Sequence, residues 1–183
     1  MLRNSLTWLL LAVFSTALAA CCGSVACNCP NDKNDDALSF RFNLDTLTTQ
    51  GVRRGFFTDE IDSVYIRRVP IDTAQRPRAD TVLLTGRPGY VATFVINNAQ
   101  PFAQSSSRKL DRYDYTIYLG RRRQPTQQFV IDTVRVKDQF VGNGCCTCNQ
   151  NVEKFVRLDG QPLNVTDPNG GDAAVEIQLN RKP

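Results

Sequence analysis

From Leu38 to the C-terminus, apolar and polar side chains alternate with period two, and no stretch there carries the spacing of an amphipathic helix. Phe40, Phe42 and Leu44 alternate with Ser39, Arg41 and Asn43, a strand with one wet face. Over 62–69, Val64 and Ile66 oppose Tyr65 and Arg67, and a short strand follows at 81–85. Residues 90–97 are apolar on both faces, as in a central strand. Asn-Asn, Pro101 and a triple serine make 97–108 a loop. Tyr113, Tyr115, Ile117 and Leu119 then face one way, with Asp114, Thr116 and Tyr118 facing the other. A long β-type run over 127–140 changes its inward parity near Asp132, which predicts a bulge. The run at 152–158 ends in Asp159-Gly160, a hairpin turn, and Val175, Ile177 and Leu179 close the chain. About eight short strands predict an all-β fold, an antiparallel β-sandwich.

The N-terminus follows other rules. One basic residue, Arg3, precedes an apolar run from Leu6 to Leu18. That run is shorter than the ~20 apolar residues a transmembrane helix needs. It reads as a helical secretory signal peptide. Its end, Leu18-Ala19-Ala20-Cys21, is aliphatic, small, small, cysteine. This resembles the lipobox of bacterial lipoproteins. The resemblance implies cleavage before Cys21, diacylglycerol on its thiol and a further acyl chain such as palmitate on its amine. Cys22 stands where aspartate commonly marks inner-membrane retention in such proteins, so the resemblance favours the outer membrane, facing the periplasm; the cell surface is the alternative. The chain thus divides into a signal peptide (1–20), a lipidated, cysteine-rich flexible tether (21–37) and a β-sandwich domain (38–183).

Leu110 precedes Tyr115 by five residues, with Asp111 between them. That spacing resembles the tyrosine corner of immunoglobulin-like and fibronectin-like sandwiches, which implies a hydroxyl bonded back to the chain.

Composition limits function. Cleavage leaves 183 − 20 = 163 residues, with 22 − 1 = 21 basic against 18 acidic side chains, a net charge near +3. That balance does not argue for a nucleic-acid partner. The chain contains no histidine, so the commonest general base and metal ligand is missing. No nucleophile elbow, zinc-protease helix, P-loop or dinucleotide fingerprint occurs. The expectation is a non-enzymatic protein without a cofactor, attached to the membrane through Cys21, whose domain binds a protein or glycan or serves the envelope structurally. Three neighbouring carboxylates, Asp59, Glu60 and Asp62, offer only weak material for a hydrolase.

Six cysteines remain after Cys21: Cys22, Cys27 and Cys29 near the anchor, and Cys145, Cys146 and Cys148 in what reads as one late loop. Even parity in an oxidising compartment argues for disulfides, and two clusters invite bridges between them. Sequence does not choose among the fifteen pairings of six cysteines. The alternative is a thiolate metal site at Cys27, Cys29, Cys146 and Cys148, or a redox pair with Cys-x-x-Cys spacing at Cys145 and Cys148.

Lesser patterns complete the reading. Asp32, Asn34 and Asp36 alternate like a calcium loop, but Ala37 and Asn43 stand where it needs Gly and Glu. Arg121-Arg122-Arg123 forms a basic loop suited to anionic head groups or sugars. Asp, hydroxyl, apolar recurs five times, placing a hydroxyl at Thr46, Ser63, Thr73, Thr81 and Thr133. The tripeptide is similar to an O-glycosylation site of some Gram-negative bacteria. The same residues also suit strand entry, where Asp caps a turn and Thr and Val begin a strand.

Overall fold

A computed structural model of the chain describes residues 27, 29, 36–49, 51–72, 78–85, 92–103, 109–121, 123–144, 146–170 and 173–183. The alternating segments form β1 (Ala37–Phe42), β4 (Ser63–Pro70), β5 (Asp80–Thr85), β6 (Thr93–Asn97), β7 (Tyr113–Arg121), β8 (Gln124–Asn143), β9 (Cys146–Leu158), β10 (Gln161–Asn164) and β11 (Glu176–Leu179). Two-residue strands β2 (Thr48–Thr49) and β3 (Val52–Arg53) make a small separate ribbon. Single 3-10 turns, Thr58–Ile61 and Leu110–Arg112, lead into β4 and β7.

Six strands form one antiparallel sheet in the order β10-β9-β8-β7-β4-β5, and three form a second in the order β11-β1-β6. The molecule is an all-β sandwich. Its inner residues are those the period-two pattern selects: Phe40 and Phe42 from β1, Val64 and Ile66 from β4, and Tyr115, Ile117 and Leu119 from β7. Phe129 and Ile131 from β8 and Ile177 and Leu179 from β11 complete the layer. Phe42 meets Phe56 and Phe129 edge-on, with ring centroids 5.5 and 6.3 Å apart, and Phe40 stacks on Phe94. Chain packing is closest at Gly55, where a Cβ would lie 1.9 Å from the Asp45 carbonyl oxygen, so no larger residue fits without moving backbone.

Two expected local features are present. The ladder between β8 and β9 shifts register between Ile131 and Thr133, at Asp132. Asp159 and Gly160 join β9 to β10 with φ of +50° and +79°, the left-handed pair a two-residue hairpin needs. Tyr115 Oη donates to the Leu110 carbonyl across 3.0 Å within the core, and burial pushes its phenol pKa far up.

Three expectations are corrected. β6 lies at a sheet edge instead of the centre, and Val95 on it is exposed. Phe94 and Ile96 share the inner face of β6 and pack on the core, so only that face is buried. β1 and β11 pair in parallel, Phe40 beside Ile177, so the smaller sheet is mixed. Cys146 and Cys148 lie on a strand, not in a loop, because β9 begins well before Val152.

Candidate functional site

β8 and β9 form the longest hairpin of the fold, and the chemistry gathers near its turn. Cys27 is bonded to Cys146 and Cys29 to Cys148, with Cα atoms 5.5 Å apart in each pair. Both bridges span 119 residues. Equal spans mean that 27–29 runs in the same direction as 146–148. β10 pairs with β9 only over Phe155–Leu158, so the stapled segment lies beside a stretch of β9 that β10 leaves uncovered. An uncovered edge is a template for unwanted strand pairing, and a disulfide-held segment blunts it.

A polar clamp seats the same segment where it enters β1. Asp36 adopts a left-handed φ of +48° and is buried. Its amide donates to Asn151 Oδ1 at 2.7 Å, and its carboxylate accepts from Asn98 Nδ2 at 2.8 Å and Asn151 Nδ2 at 3.2 Å. Asn151 also donates to Asp138 Oδ1. Lys109 Nζ sits 2.8 Å from Asp138 and 3.4 Å from Asp36, and the hydrogen bond to Asp138 raises its pKa further above the usual lysine value. One ammonium thus bridges two carboxylates, and the amides share the remaining lone pairs. Asp36 serves this clamp; Asp32 and Asn34 of the calcium-like pattern lie outside the described residues.

A second surface covers the outer face of the large sheet. Cross-strand rows there run Leu83–Tyr65–Tyr118–Gln128 and Thr81–Arg67–Thr116–Val130. Tyr65 and Tyr118 stack with centroids 5.2 Å apart and rings 6° from parallel. Beside them a shallow cleft of about 300 Å³ is lined by Arg67, Thr81, Thr116, Tyr118, Pro125 and Gln128. Further along, Asp132 pairs with Arg157, whose hydrogen bond holds the Asp132 carboxyl below the usual range. Neighbouring Asp114 shifts the opposite way, raised by burial and by the Asp132 charge. Asp114 Oδ1 is buried with no hydrogen-bond partner among the described residues. The alternating outer positions were legible in the sequence; their assembly from four strands was not.

The remaining candidates divide. Cys21, Cys22, Cys145 and Thr73 lie outside the described residues. With Cys27, Cys29, Cys146 and Cys148 paired, their sulfurs present no thiolate to a metal. Ser63 and Thr81 stand on the outer face of the large sheet, and Thr46 and Thr133 are likewise half-exposed. Three of the aspartates preceding these hydroxyls have structural duties. Asp80 binds Arg68, Asp132 binds Arg157, and Asp45 accepts from the Leu47 amide. Glu60 is desolvated, yet the Phe57 amide and Arg53 hold its pKa down, and among the described residues no second carboxylate bonds to it. Arg121 and Arg123 are exposed at the β7–β8 turn, at the other end of β8 from the disulfides.

The buried Arg68 went unread in the sequence. Its guanidinium lies 4.4 Å from the Phe102 ring centre and 4.7 Å from that of Tyr113. It donates twice to Asp80 Oδ2 and once to the Ala103 carbonyl. An Arg at an inward strand position between apolar neighbours was the available signal.

Comparison of the chain with protein-family models, with curated proteins and with solved structures gives no match.

Proposed function

We propose that this chain is a lipid-anchored protein of the bacterial cell envelope, held in the outer membrane through acyl chains on Cys21, whose β-sandwich binds a protein or glycan without catalysing a reaction. The observation that carries the reading is the pair of bridges from Cys27 and Cys29 to β9. Disulfides belong to oxidising compartments, which agrees with export by the N-terminal signal. They also join the segment that follows the lipobox directly to the domain.

The chemistry of the described surface favours binding over catalysis. The chain has no histidine, and Glu60 and Asp132 are committed to arginines. The outer face, with Tyr65, Arg67 and the cleft at Thr81 and Gln128, offers ring edges, a cation and hydroxyl and amide groups. Such mixed polar and aromatic surfaces suit a glycan or protein partner. The corner made by Tyr115 and Leu110 supports the likeness to immunoglobulin-like sandwiches.

The test is expression in a Gram-negative host with labelled palmitate. The native chain is expected to incorporate label and sediment with outer membranes, while Cys21→Ser remains soluble or unprocessed. Equal membrane recovery without label in both would reject the anchor.

A further inference from the structure

We infer that the turn end of the β8–β9 hairpin is a bilayer-contacting surface, with Phe140 and Val141 seated at the boundary of headgroups and acyl chains. The inference rests on the proposed acylation of Cys21 and adds an orientation that acylation alone does not supply.

Covalent reach comes first. Cys27 is six Cα-to-Cα steps from Cys21, and an extended chain covers at most about 3.6 Å per step. The Cys27 sulfur is bonded to Cys146, at the start of β9. With the 5.5 Å between the bridged Cα atoms added, a lipid on Cys21 therefore holds the start of β9 within roughly 27 Å of the leaflet that carries it. The rest of the sandwich has no such short leash.

The side chains at that end suit the location. Phe140 is 74% exposed and adjoins Val141, which is 38% exposed. Val141 pairs across the ladder with the bridged Cys148, so the apolar pair and the staple occupy the same few rungs. No charged side chain occurs from Gln139 to Gln150, nor from Cys21 to Asn31. Carrying an ionised group into a bilayer is costly, so an end free of charge approaches the acyl boundary without that penalty. Charged residues resume just behind, at Asp138, which Lys109 neutralises, and at Lys137 and Glu153, which face each other across the ladder. Leu47 is as exposed, at 78%, but it lies beyond the far end of β1. β1 leaves the clamp at Asp36 and reaches Phe42, beside Phe129, nine residues along β8 from Asp138. Exposure alone does not mark Phe140; exposure at the anchored end does.

The sole tryptophan, Trp8, lies in the signal peptide, so the processed chain provides a dark background. Lipidated, full-length mature protein carrying Phe140→Trp or Leu47→Trp is reconstituted into vesicles of phosphatidylethanolamine and phosphatidylglycerol with bromine near the top of the acyl chains. The Phe140→Trp protein is expected to emit at shorter wavelength and to be quenched at least about twofold, as for a ring at the acyl boundary. The Leu47→Trp protein is expected to show neither effect. Mass spectrometry of the same samples reports the acyl chains on Cys21. Lipidated protein whose two variants are quenched equally overturns this inference and leaves the anchor standing. Protein that carries no lipid removes both.

Discussion

Tyr115 shows how one hydroxyl joins two elements. Its Oη bonds the Leu110 carbonyl at the turn before β7, inside the core, where an unpaired carbonyl would be expensive. Tyr115→Phe removes the donor and leaves the acceptor, so a loss of about 1–2 kcal/mol is expected in urea unfolding. Asp114 and Asp132 illustrate the opposite case, two carboxylates on one face with divergent environments. Arg157 satisfies Asp132, whereas Asp114 is raised because its ionised form is disfavoured by burial and by the Asp132 charge. A carboxyl raised in the folded state favours folding below its ordinary pKa, and that contribution disappears as pH climbs through the raised value. Asp114→Asn is therefore expected to increase stability at pH 7, by roughly 0.5 kcal/mol, and to change it little near pH 3. Melting curves at the two pH values check it; a variant equally altered at both would contradict the titration argument.

The hairpin of β8 and β9 and its stapled neighbour act as one element. Both described bridges close the same long loop, so they do not contribute independently. In the chain-entropy model, closing a loop of roughly a hundred residues stabilises by about 4.7 kcal/mol, and the short ring left for the second bridge adds only about 2 kcal/mol. Replacing both Cys29 and Cys148 by Ser should therefore cost near 2 kcal/mol, while adding the same change at Cys27 and Cys146 should cost about 4–5 kcal/mol more. Denaturant midpoints of the two variants measure this, and equal steps would show that the rungs act separately. None of the bonds of the clamp at Asp36, Asn98, Asn151, Asp138 and Lys109 involves sulfur.

Across the whole molecule, stability and surface function are segregated. The aromatic group of Phe40, Phe42, Phe56, Phe94 and Phe129 holds the two sheets together. Phe42→Ala should cost about 3–5 kcal/mol, because its ring is fully buried and the cavity cannot collapse. Leu47→Ala, at an exposed position, should stay within about 0.5 kcal/mol of the native chain. Thermal unfolding of the pair compares them directly. Uncharged residues gather at one end of β8, and Arg121 and Arg123 stand at the other, separated by its 20 residues. In the proposed orientation the basic turn and the outer face of the large sheet are presented away from the anchoring leaflet.

What the sequence determined by itself is the local order. Alternation gave the inward faces of β1, β4, β7 and β11, the parity change at Asp132 gave the bulge, and Asp159-Gly160 gave a hairpin, because each depends on a few neighbouring residues. Tertiary structure decided everything that needs distant segments side by side. It chose Cys27 with Cys146 and Cys29 with Cys148, laid β11 parallel to β1, moved β6 to an edge, and buried Arg68 between two rings. Side-chain period reports which face is wet. It carries no information about which strand lies alongside, since that choice is settled by packing the whole core at once.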